Sequence, residues 1–224
     1  MNFFDLLQSN TELQRESLLK TPIIQRCFQR DVTLENYVAF LTQAYHHVKH
    51  TVPLLMAAGS RLPQEKEWLR QAIAEYIEEE LGHQEWVLND IAACGFDKEE
   101  VRHSQPLPET EIMVAYLYDT INRINPVGIF GMVQVLEGTS ILLASAGSKV
   151  VQEVLELPDS AFSYLSSHGE LDIGHMKFFE NLMNKINDPQ DQAAIIHCSR
   201  MMYGLYGNIF QNLDNVMLPD KRAA

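Results

Sequence analysis

The sequence predicts an all-α fold, a single compact bundle of the helical type, on three observations. Apolar residues recur at three- and four-residue intervals through most of the chain. β-branched residues rarely alternate with polar ones, so strand signals are almost absent. Proline, glycine and capping residues then punctuate the chain into helix-sized pieces. The 224 residues, 46% hydrophobic, suffice for one core. No repeat, low-complexity segment or linker divides them, so one domain over 1–224 is expected.

The elements follow in chain order. Thr33-Leu-Glu-Asn reads as a helix start, with apolar periodicity through Tyr37, Phe40, Leu41, Tyr45, Val48, Val52 and Leu55 to Ala58, a stop at Gly59 and a kink at Pro53. A second long helix is expected from Pro63 through Trp68, Ile73, Ile77 and Trp86 to Gly95. Pro108 opens a third, which stops at Asn125-Pro126. Pro126 starts a fourth, running to about Gly147, whose Gly128, Gly131 and Gly138 point to close approach of a neighbour. Pro158-Asp-Ser opens a fifth, reaching Met183 or Asn184, and Asp188-Pro189 opens a sixth that extends through Ile209.

Composition excludes several function classes. A formal charge of −13 with no Lys/Arg cluster argues against nucleic acid as a partner, because binding to phosphate backbones needs basic patches. No apolar run approaches the ~20 residues needed to span a bilayer, and the first ten residues lack a basic segment, so a protein of the cytoplasm with no membrane partner is expected. Cys27, Cys94 and Cys198 are odd in number and scattered, which suggests neither a disulfide framework nor a thiolate zinc site.

Three stretches carry chemistry. In Ser167-His168-Gly-Glu-Leu-Asp172-Ile-Gly-His175, an advance of ~100° per residue puts His168, Asp172 and His175 on one stripe of a helix, a mixed nitrogen and oxygen set that suits iron or zinc. Glu80 and His83 are i, i+3 neighbours able to share a metal, with Glu79 as a rival to Glu80. Glu100 and His103 have the same spacing but fall in what reads as a loop. Glu137 stands alone as the acid between Asp119 and Glu153, in an apolar helix where an ionised carboxylate is costly unless paired or metal-bound. Carboxylate-bridged di-iron bundles take one glutamate from each of two helices and an acid-x-x-His from each of two others. Glu80-x-x-His83, Glu137 and Asp172-x-x-His175, with His168 as an extra nitrogen, fall in that pattern.

On these residues the chain resembles the haem-oxygenase-like metal oxidases, a helical superfamily that includes thiaminase II, pyrroloquinoline-quinone synthase and haem oxygenase. The resemblance covers most of the chain and implies a centre of one or two iron ions, with manganese as the alternative metal, held by Glu80, His83, Glu137, His168, Asp172 and His175. It implies activation of O2 on a small organic substrate such as a fatty acid or amino acid, and it admits a homodimer. Some members carry the first glutamate two turns before the histidine, where this sequence has Tyr76. A phenol there would orient the substrate or be oxidised itself. The cluster His46, His47 and His50 keeps a haem-binding reading open, since haem oxygenase uses an early-helix histidine, and a metal-free thiaminase II-like protein is a further alternative. Phe130, Met132, Met176 and Phe179 flank the ligands and suggest an apolar chamber.

Overall fold

The computed structural model describes residues 1–221, and for residues 141, 142, 144, 145 and 168–175 the backbone without the side chains. Eleven α-helices are described: α1 (Phe3–Leu19), α2 (Pro22–Phe28), α3 (Leu34–Val48), α4 (Thr51–Arg61), α5 (Glu67–Glu80), α6 (His83–Ala93), α7 (Lys98–His103), α8 (Pro108–Asp119), α9 (Phe130–Leu155), α10 (Ser163–Met183) and α11 (Pro189–Gln211). The all-α prediction holds: among the described residues the sole β contact is an isolated bridge between Phe96 and Lys221. The long helix α9 packs against both α10 and α11, α1 lies on α11, α3 on α6 and α4 on α5.

Several predicted starts are where capping chemistry puts them. The Thr33 hydroxyl accepts the Asn36 N–H, while the Asn36 side chain accepts the Thr33 N–H, closing a box at the start of α3. Asp188 accepts the Gln190 N–H ahead of Pro189 at the start of α11. Three expectations need correction. The single helix from Thr33 to Ala58 is two, because Pro53 has no N–H for the Lys49 carbonyl; the chain breaks at Lys49-His50 and Pro53 sits in the first turn of α4, where the missing donor costs nothing. The stretch from Pro63 to Gly95 is also two helices, α5 and α6, parted at Leu81-Gly82, where Gly82 has φ 91°. Glu100 and His103 lie on the short helix α7 rather than in a loop, started by Asp97 accepting the Glu99 and Glu100 N–H groups. The fourth helix runs on to Leu155, and α1 and α2 were not anticipated.

Two apolar clusters form the interior. One gathers Leu7, Leu54, Leu69, Phe130, Phe179 and Tyr203; the other Val38, Leu41, Val87, Leu88 and Ile91. Gly128 and Gly131 do allow close approach, Gly128 to Thr120 and Gly131 to the backbone of α11; at Gly138 the nearest atom among the described residues is Gln134 Nε2, 4.0 Å from where a Cβ would lie.

Candidate metal centre and substrate cavity

The buried stripe of α5 is Leu69, Ala72, Ile73 and Tyr76, and Glu80, one turn beyond Tyr76, continues it. Glu80 accordingly faces a cavity, while its rival Glu79 is exposed on the outer side of the helix. Glu80 closes α5 and His83 opens α6, so the pair meets across a corner instead of along one helix. That corner still brings Glu80 Oε2 to 3.2 Å from His83 Nδ1, with the side chains 14% and 3% exposed. The His83 ring is stacked on Trp86 at 4.1 Å between centroids, which fixes its plane.

Gly82 makes the corner. Among the described residues no atom lies within 4 Å of where its Cβ would be, so Gly82→Ala would cost the strain of a left-handed backbone, about 1 kcal/mol. Denaturant unfolding checks the value.

Glu137, on α9, is 7% exposed and lines the same cavity as Glu80. Tyr76 lines it too, buried, with its ring edge-on to Phe178 at 5.5 Å. The third element, His168, Asp172 and His175, lies on α10, whose backbone runs unbroken from Ser163 to Met183, as their spacing requires. Their side chains lie outside the described residues. Among the described residues, no three His, Cys, Asp or Glu side chains gather closely enough to hold a metal.

The cavity measures about 170 Å³ and runs along the seam between the two apolar clusters, touching Tyr37 and Val151 of one and Leu55 and Met132 of the other. Its outer wall is α2, through Ile23, Ile24, Cys27 and Phe28, a contribution no motif announced. Among the described lining residues there is no lysine or arginine, and the only carboxylates are Glu80 and Glu137. Met132 lines it as expected. Phe130 and Phe179 are instead fully buried in the core beside it, and Met176 packs against that core.

Of the early histidines, His47 lines the cavity and His46 and His50 do not. Lys49 Nζ stands 3.1 Å from His46 Nδ1, and His46 Nε2 stands 2.9 Å from the Ser104 hydroxyl, while His50 faces the Tyr118 hydroxyl at 3.3 Å. Burial, then Lys49 and His50, holds His46 at about 4, below the ordinary 6.5. The unfolded chain therefore takes up this proton first as pH falls. The associated stability is complete above about 6.5 and is lost between there and about 4, by up to about 3 kcal/mol. His46→Gln removes that slope, which urea unfolding at pH 7 and pH 4.5 measures.

His197 is exposed, and Tyr203 belongs to the core. Cys94 and Cys198 do not line the cavity, and burial pushes both thiols up to about 12, so neither supplies the nucleophile a thiaminase II-like hydrolase needs. Cys27 does line it, half-buried, and burial raises its thiol as well.

The donor set fits iron. Glu80 and Glu137 line one cavity and Glu80 lies 3.2 Å from the buried His83 imidazole, so the donor types present are the carboxylate oxygens and imidazole nitrogen that iron takes.

A comparison with curated proteins finds no match by sequence. Among solved structures, the chain is similar to a domain with a haem-oxygenase-like fold from Shewanella denitrificans, at 25% identity and a TM-score of 0.85, over 96% of this chain and 93% of that one. It is similar in fold to a TenA homologue from Pseudomonas syringae, at 13% identity and a TM-score of 0.78, over 96% and 93% of the two chains. It is likewise similar to haem oxygenase-1 from the cyanobacterium Synechocystis, crystallised with haem, at 10% identity and a TM-score of 0.75, over 96% and 93%. No helix among the described residues is long and apolar enough to cross a membrane. The family model for iron-containing redox enzymes matches residues 38–207, a span that includes Glu80, His83, Glu137 and α10, and the chain belongs to that family.

Proposed function

We propose that this protein is a haem-free iron oxidase that uses O2 on a small apolar substrate, a fatty acid before an amino acid. The observation that carries the reading is that two carboxylates, Glu137 buried and Glu80 partly buried, line one mostly apolar cavity. Glu80, His83, Glu137, His168, Asp172 and His175 would hold one or two iron ions, with manganese the alternative. Iron in that set supplies the electrons and Lewis acidity that O2 activation requires.

The chain's own residues do the rest. The apolar walls exclude water from the carboxylates and hold an alkyl body by burial. Tyr76, which lines the cavity one helical turn before Glu80, would orient a polar group of the substrate through its phenol. A carboxylate head would sit at the metal in either case, and the mostly apolar lining away from Glu80 and Glu137 suits an alkyl chain better than the additional ammonium group of an amino acid. That favours a substrate with one polar head and an apolar tail. The three free cysteines fit a reducing cytoplasm, and a homodimer is the assembly the family resemblance implies.

Oxygen uptake by protein loaded with Fe(II) tests the reading. Straight-chain fatty acids are expected to stimulate uptake, and added haem is expected to show no shift or sharpening of its Soret band. Uptake unchanged by any fatty acid or amino acid would contradict it. Cys27→Phe, which fills the outer wall, is expected to weaken binding of the longest accepted substrate about tenfold while leaving iron content unchanged, as competition binding and metal analysis would show.

A further inference from the structure

Asp90 is fully buried on α6, seven residues after His83 and hence on the same side of that helix. Its carboxylate does not serve its own helix. Oδ1 accepts the Ser163 N–H at 3.0 Å and the Ser163 hydroxyl, and Oδ2 accepts the Tyr164 N–H at 2.9 Å. Those are first-turn donors of α10, which has no capping side chain of its own at Phe162. A residue more than seventy positions earlier thus does what an N-cap does. Burial pushes the Asp90 carboxyl up while the bonds from Ser163 and Tyr164 draw it down, and the positive end of α10 favours a negative partner there.

The two helices joined in this way are the ones that carry His83 and the stretch His168 to His175. Tyr164, whose N–H Asp90 holds, also lines the cavity. A cap from a local residue would stabilise α10 without saying where it sits. A cap from α6 fixes the height and rotation of α10 against α6, because three bonds to two oxygens of one rigid carboxylate admit little sliding.

We infer that Asp90 is a positioning residue for the metal centre, locking the α10 ligand stretch in register with His83. The inference rests on the metal reading above. Groups hydrogen-bonded directly to a ligand are typically worth 10- to 100-fold in metal affinity; Asp90 acts through the start of α10, so an effect at the lower end of that range is expected.

The test compares Asp90→Ala and Asp90→Asn with Ile91→Ala, which truncates a fully buried neighbour on the same helix and leaves the Asp90 carboxylate and its bonds to Ser163 and Tyr164 in place. Fe(II) affinity, the visible spectrum of the Co(II)-loaded protein and thermal unfolding are measured for each. Asp90→Ala is expected to bind iron at least tenfold more weakly and to shift the Co(II) bands. Asp90→Asn keeps one acceptor but turns an NH2 toward the Tyr164 N–H, and its loss should be smaller; it also stands in should the alanine variant not fold. Ile91→Ala should lose thermal stability yet bind metal like the wild type. Wild-type-like affinity and spectrum in Asp90→Ala, or equal losses in Asp90→Ala and Ile91→Ala, would overturn the inference alone. A wild-type protein that takes up neither iron nor cobalt would overturn the metal reading and this inference with it.

Discussion

Glu137→Gln protein will bind iron roughly a hundredfold more weakly than the wild type while keeping its fold. The amide has the volume of the carboxylate, so the packing of α9, whose Met132, Val133 and Leu136 line the same cavity, is preserved. What it lacks is the charge. An uncharged oxygen is a much poorer ligand for a divalent cation, and loss of a direct ligand should cost at least what loss of an outer-shell partner does. The residue is 7% exposed, so water cannot readily replace the missing donor. Circular dichroism would report the fold and anaerobic Fe(II) titration the affinity. Unchanged affinity would remove Glu137 from the centre.

Gly131→Ala will be the most damaging small substitution in the bundle, costing about 3 kcal/mol, with Gly131→Val failing to fold. A Cβ at this position would lie 2.7 Å from Cys198 Cβ and from Ser199 N, and 2.8 Å from Ile195 O. Two of those atoms are backbone of α11, so no side chain can swing away and the helices must separate. Overpacking of this kind typically costs 1–3 kcal/mol and more when backbone must move, a large share of the ordinary stability of a domain. Because α9 also carries Glu137 six residues on, iron affinity should fall together with stability. Urea unfolding decides it: a change below about 1 kcal/mol would mean that α9 and α11 part easily.

The elements with strong local signals were legible in the sequence. Asp188-Pro189 and Thr33 start helices because capping is a contact between near neighbours in the chain. Glu137 was legible as a buried acid, since nothing nearby in its helix offered solvent or a counter-charge. The choice between Glu79 and Glu80 was also written in the pattern, in the apolar stripe Leu69, Ala72, Ile73 and Tyr76 that Glu80 continues. The corner at Gly82 was not, because one glycine in a helical pattern is tolerated as often as it breaks the helix, and only packing of α5 and α6 on different neighbours decides. The cavity's outer wall escaped notice for the same reason. Ile23 and Cys27 become a wall only when α2 is brought against α9. Asp90 looked like any acid on a helix, and its partners lie more than seventy residues away.

The most direct test of the central claim is anaerobic Fe(II) titration of the wild type, His83→Ala and His175→Ala side by side. The account predicts one or two tightly bound irons per chain in the wild type and a marked loss in both variants, since residues of α6 and α10 would share one centre. No iron in the wild type, or equal iron in all three, would contradict it.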